Sequence, residues 1–223
     1  VEGDTICYQK WGDNTKPGMV LVHGSGSHSH WWDFIAPLLL EDFQISAIDL
    51  SGMGDSDHRT DYSPELYGKE ILSVAEDSNF FEVSDPIICG HSMGGFMSAY
   101  AGLISDKKLG GVIMVDSPIR PPTYDYSTHV RSGPIRRIKT YPDRESILER
   151  FRLTPEQDCE NEYLVKYIAE WSVKEANNGY QWKFDDTIFD KLGFSHMTKN
   201  QAFELECNFC LLYTSDAADE CSG

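Results

Sequence analysis

The sequence predicts an α/β chain, a mostly parallel, doubly wound sheet with an inserted helical cap. Three observations point there. Over residues 1–118 short apolar runs alternate with longer helical patterns, as parallel strands joined by crossover helices do. A serine flanked by glycines stands where one such run gives way to a helix. Beyond Asp116-Ser117-Pro118 the pattern changes: Pro118, Pro121 and Pro122 break it, and charged, aromatic, helical sequence follows to about residue 195.

Ile6 to Trp11 reads as an opening strand, with Gly12-Asp13-Asn14 through Pro17-Gly18 as its turn. Met19 to Val22 is a buried strand, followed by a Gly-Ser-His loop and a helix through Trp32, Ile35, Leu38 and Leu39. Phe43 to Leu50 is the next strand. Ser63-Pro64-Glu65 is a helix start signal, and the apolar face at Leu66, Ile71, Leu72 and Ala75 carries that helix to about Asp77. Ile87-Ile88-Cys89 forms a further apolar run before Gly90, Met93 to Ile104 a small-residue helix, and Gly111 to Val115 one more strand. After residue 118 strand signals disappear. Ser146 to Leu153 and Glu162 to Ala176 read as amphipathic helices, and Tyr180, Trp182, Phe184 and Phe189 as an aromatic cluster behind Asn178-Gly179. The expected division is a core over 1–118, a cap over 119–195, and the start of a post-cap core strand over 196–209.

Gly90-His91-Ser92-Met93-Gly94 fits the G-x-S-x-G pattern, and its context gives the pattern meaning. An apolar strand precedes it and a helix follows, which places Ser92 on a sharp, strained strand-to-helix turn with its hydroxyl at a helix N-terminus. The residues two before and two after must be small, because neighbouring backbone comes close, and both are Gly. About 70 residues earlier, His23-Gly24-Ser25-Gly26 follows the strand ending at Val22. A tetrahedral acyl-transfer intermediate carries its charge on one oxygen, which two preorganised backbone N–H groups stabilise. Those donors are assigned to Ser25 and Met93. His23 reads as a loop-orienting residue, and His28 and His30 as lining a pocket mouth or facing solvent.

Three motifs, VHGSG at 22–26, DLSGMGDS at 49–56 and GHSMGG at 90–95, stand in an order that resembles the α/β-hydrolase superfamily. The resemblance covers residues 1 to about 209. It implies esterase-like chemistry under a helical cap, with no cofactor, no metal and a small-molecule substrate. It also implies a triad in which the acid and then the histidine follow the serine. Glu204 to Leu212 resembles the first part of the post-cap strand, yet no histidine follows it, and His196 precedes it. The chain is therefore expected to lack the final strand and helix together with the catalytic histidine, and to be a very poor catalyst as written. Asp116, ending an earlier strand, occupies the alternative acid position of some members. Cys210 to Glu220, CLLYTSDAADE, reads as translated sequencing adapter, so 210–223 is expected to be a non-native tail.

Composition excludes some roles. Nineteen Lys and Arg against thirty-six Asp and Glu give a formal charge of −17, a field that repels phosphate backbones and anionic lipid headgroups. Neither nucleic-acid nor membrane binding is expected. Six cysteines in a chain of 223 residues, too large to need staples, predict reduced thiols, and with no membrane span or signal peptide the chain reads as cytoplasmic. Oligomeric state is left open. Three functions remain: hydrolysis of a carboxylic ester or related acyl substrate through Ser92, cleavage of a carbon–carbon bond beside a ketone as in meta-cleavage-product hydrolases, and ligand binding on a hydrolase scaffold. The second is weakened by Ser27-His28, which replace the proline those enzymes usually carry after HGSG. A dehalogenase would need Asp at position 92.

Overall fold

The computed structural model describes residues 1–117, 138–154 and 156–192. Five strands form one sheet: β1 (Tyr8–Trp11), β2 (Gly18–Val22), β3 (Gln44–Ile48), β4 (Ile87–His91) and β5 (Gly111–Val115). Their order is β1-β3-β2-β4-β5, with β1 antiparallel to β3 and every other pairing parallel. β2 and β3 are buried along their whole length and β4 through its middle, whereas Ile113 and Val115 of β5 are exposed. On one face Val20, Val22, Ile48 and Ile88 pack under α1 (Pro64–Asp77), α2 (Phe80–Val83) and α3 (Met93–Ile104). On the other, Met19, Leu21, Ile45 and Ala47 pack with Trp11, Trp32, Ala36 and Leu39.

Local chemistry sets the helix limits. Ser63 caps α1, its hydroxyl accepting from the Leu66 N–H at 3.1 Å, and Pro64 supplies a fixed φ and no unmet donor at the first position. The helix expected through Trp32 to Leu39 is instead two 3-10 turns, Ser29–Trp32 and Ala36–Leu39. Pro37 disfavours α geometry in the residue before it and cannot donate to a preceding turn. Ile35 and Leu38, which the helical pattern would have buried, are 44% and 76% exposed.

A second correction concerns 138–192. The amphipathic pattern over Glu162 to Ala176 ends early, giving α5 (Glu162–Trp171), and the chain then forms an antiparallel hairpin of β6 (Val173–Ala176) and β7 (Gly179–Trp182). Asn177-Asn178 makes its two-residue loop, with Ala176 paired to Gly179. The helix expected over Ser146 to Leu153 is shorter, α4 (Arg144–Leu148), and Asp143 caps it by accepting from Ser146 N at 2.8 Å. α6 (Ile188–Lys191) follows the hairpin.

This segment packs on the loops that leave the carboxyl ends of β2 and β3. Tyr167 donates to Asp33 Oδ2 at 2.6 Å, Trp171 stacks on His30 with ring centres 3.6 Å apart, and Asp185 N donates to the Gly52 carbonyl at 2.6 Å. Cys7, Cys89 and Cys159 are unpaired thiols. Among the described residues no helix is long and apolar enough to cross a membrane. The post-cap strand expected at 196–209, the tail at 210–223, His196 and the Phe189 side chain lie outside the described residues.

Candidate active site

Ser92 occupies the turn between β4 and α3 at φ 53°, ψ −122°, a left-handed backbone that a non-glycine residue adopts only under constraint. The constraint is visible on both sides. Ser92 N donates to the Val115 carbonyl at 2.9 Å, extending the β4–β5 ladder, and Ser117 Oγ donates to the Ser92 carbonyl at 2.7 Å. A Cβ at Gly90 would strike the Gly94 carbonyl, and one at Gly94 would strike the carbonyls of His23 and Val22. The elbow closes because those positions are bare.

The loop after β2 meets this turn. A Cβ on Gly24 would lie 3.3 Å from Ser92 Cβ and 3.0 Å from His91 Nδ1, so Ser25 stands beside the serine. Neither the Ser25 N–H nor the Met93 N–H donates to an acceptor among the described residues. Ser25 is exposed, whereas Gly24 is buried.

Beneath them, the Asp49 carboxylate accepts from Ser29 N at 2.6 Å and Asp55 N at 2.9 Å, tying the loops after β2 and β3 together. Ser56 Oγ donates to the Asp49 carbonyl at 2.5 Å and accepts from Cys7 N at 2.8 Å. The first and last residues of the D-x-x-G-x-G-x-S motif therefore brace the site from below. Sequence reasoning assigned no role to the Asp49 carboxylate, although the motif opens on it.

His23 is buried with both ring nitrogens engaged. Nδ1 lies 2.7 Å from the Gly24 carbonyl, and Nε2 lies 3.1 Å from Leu50 N, which donates to it. A carbonyl only accepts, so the proton sits on Nδ1, and burial, opposed by the charge of Asp49, holds the imidazole below its usual pKa. With no nitrogen free, His23 orients the loop and cannot serve Ser92 as a base.

Of the two places expected for His28 and His30, a pocket mouth or solvent, His28 takes the first. His28 is 2% exposed and lines a cavity; its Nε2 lies 3.0 Å from Ser172 Oγ, whose own proton goes to the Ile168 carbonyl at 2.8 Å. Nε2 is thus the donor and the ring is neutral, its pKa pushed down to about 3 by burial and by the neighbouring His23 and His30. His30 Nδ1 lies 2.7 Å from Asp33 Oδ2. Asp116 follows β5 at φ 49°, exposed and without a hydrogen bond among the described residues. Ser92 Oγ likewise has no hydrogen-bond partner there. Ser92, Ser25 and Met93 are thus brought together, Asp116 ends the strand next to Ser92's own, and no described histidine is bonded to the serine.

A family model described as the alpha/beta hydrolase family matches residues 19–193. A serine hydrolase-like protein of Danio rerio is 30% identical over 130 residues, 56% of this chain and 39% of that protein. Pimeloyl-[acyl-carrier protein] methyl ester esterase of Edwardsiella ictaluri is 30% identical over 102 residues, 46% and 37% of the two chains. The chain spans less than half the length of these curated relatives. Among solved structures, the thioesterase domain from the curacin biosynthetic pathway shares the fold, with a TM-score of 0.71 at 22% identity over 92% of this chain and 76% of that one. The matched span runs from β2 through the Asp49 loop and the Ser92 elbow to the segment packed over them, and the chain belongs to the α/β-hydrolase family.

Proposed function

We propose that the protein hydrolyses a carboxylic ester or a related acyl substrate through Ser92. The observation that carries this reading is the left-handed Ser92 at the head of α3, with Gly24 and Ser25 against it. Ser92 Oγ attacks the carbonyl carbon, and the N–H groups of Ser25 and Met93 receive the oxyanion. A general base takes the hydroxyl proton and returns it to the departing alcohol or thiol; water then frees the acid. That base is a histidine outside the described residues, and Asp116 is the described carboxylate available to orient it. The 119–195 segment serves as a cap that closes the acyl pocket.

In the protein with its own flanking sequence, Ser92→Ala is expected to lower p-nitrophenyl butyrate turnover by about 10⁴-fold or more while thermal unfolding is unchanged. Undiminished turnover in the alanine variant would show that Ser92 is not the nucleophile. A parent protein that binds esters without turning them over would instead be a binding protein on this scaffold.

A further inference from the structure

Beside Ser25 lies a cavity of about 370 Å³, within the range of small-molecule sites. Its wall is apolar at Trp31, Phe151, Trp182 and Phe184. Among the described residues it also carries three cations, Arg150, Arg152 and Lys183, and no Asp or Glu. In a chain with thirty-six acids and nineteen bases, that balance is the reverse of the average.

The three cations differ in how they are compensated. Lys183 Nζ sits 2.7 and 2.8 Å from the two carboxylate oxygens of Asp55, so its charge is already balanced. Arg150 and Arg152 form no ion pair with any described residue. Arg152 Nη1 donates to the carbonyls of Glu149 and Phe151 at 2.8 and 2.6 Å, which leaves the other nitrogens of the fork uncommitted. Arg59, by contrast, is paired with both Asp4 and Glu70. Arg152 also borders a groove between α4 and α5 whose wall holds Glu145, Glu149, Glu162 and Glu170, and none of these pairs with it.

Guanidinium groups present planar, paired donors that fit carboxylate and phosphate oxygens two at a time. Resting on the acyl-transfer reading above, we infer that the substrate carries a second, negatively charged group, a carboxylate or a phosphate. Arg150 and Arg152 hold it while the reacting carbonyl lies at Ser92. Both arginines are exposed, so the anion keeps part of its hydration and binding weakens as salt screens the pair.

The test separates binding from chemistry. The full chain carrying Ser92→Ala is titrated calorimetrically with monomethyl glutarate, 2-acetoxyethyl phosphate and neutral dimethyl glutarate, at low and at high salt. One or both charged esters are expected to bind about tenfold or more tighter than the neutral one, the tighter of the two naming the anion, with the preference shrinking in salt. Arg150→Gln with Arg152→Gln is expected to erase the preference without changing the melting temperature, and Arg150→Lys with Arg152→Lys, which keeps the charge but not the paired donors, to retain only part of it. Equal affinity for charged and neutral esters, or a preference that survives the double glutamine variant, would overturn the inference. Neutral-ester turnover in the Ser92-intact protein tests the acyl-transfer reading separately, and its failure leaves the binding result standing.

Discussion

His28 shows how a single buried ring ties stability to pH. In the folded state its pKa lies near 3, against the usual 6.5, so between those values an unfolded chain binds a proton that the folded chain refuses. The contribution is complete above pH 6.5 and is lost as the pH falls toward 3. His23, also lowered by burial, acts in the same direction. Asp185 loses its contribution only lower, from 3.8 down to about 2, where the Thr187 and Tyr62 hydrogen bonds that hold its carboxylate ionised against burial are spent. His28→Gln is therefore expected to flatten the decline of urea midpoint between pH 6.5 and 4, and an unchanged slope would place the proton elsewhere. Single residues were legible where a short motif fixes their backbone: Ser92 stands at the turn between β4 and α3, where the G-x-S-x-G pattern puts it. Arg150 and Arg152 were not, because no local pattern says which way a long side chain points or whether a carboxylate will meet it.

At the scale of elements, the Ser92 turn is a junction of three segments, and Gly94 is where they touch. A methyl there would meet the His23 and Val22 carbonyls, backbone atoms that cannot rotate aside. Gly94→Ala is expected to cost about 1–3 kcal/mol, measured by urea unfolding, and a loss below about 0.5 kcal/mol would show that the loop after β2 yields easily. β2 and β4 were readable because their buried stretches, Met19 to Val22 and Ile87 to Cys89, are short continuous apolar runs. The β6–β7 hairpin was not, since Lys174, Glu175 and Ala176 favour a helix by intrinsic propensity, and pairing with Gly179 to Gln181 overrides them. The usable signal was Asn177-Asn178-Gly179, a turn sequence between the end of the expected helix and the aromatic residues that follow.

Across the whole molecule, the fold class and the five strands of the main sheet followed from the sequence, but the way residues 138–192 dock did not. His28 and Ser172 are 144 positions apart, and Asp33 and Tyr167 are 134 apart, and no periodicity announces such pairs. Docking also decides where the indoles lie. Trp31 and Trp182 line the cavity, whereas Trp171 stacks on His30, and Trp11 and Trp32 pack on one face of the sheet. Two of the five indoles in the chain thus line the space a ligand would fill. The protein carries its own optical gauge: occupancy of the cavity is expected to change tryptophan emission in proportion to the bound fraction, and Trp182→Phe to remove much of that change. Emission indifferent to a ligand whose binding calorimetry has established would place that ligand away from these rings.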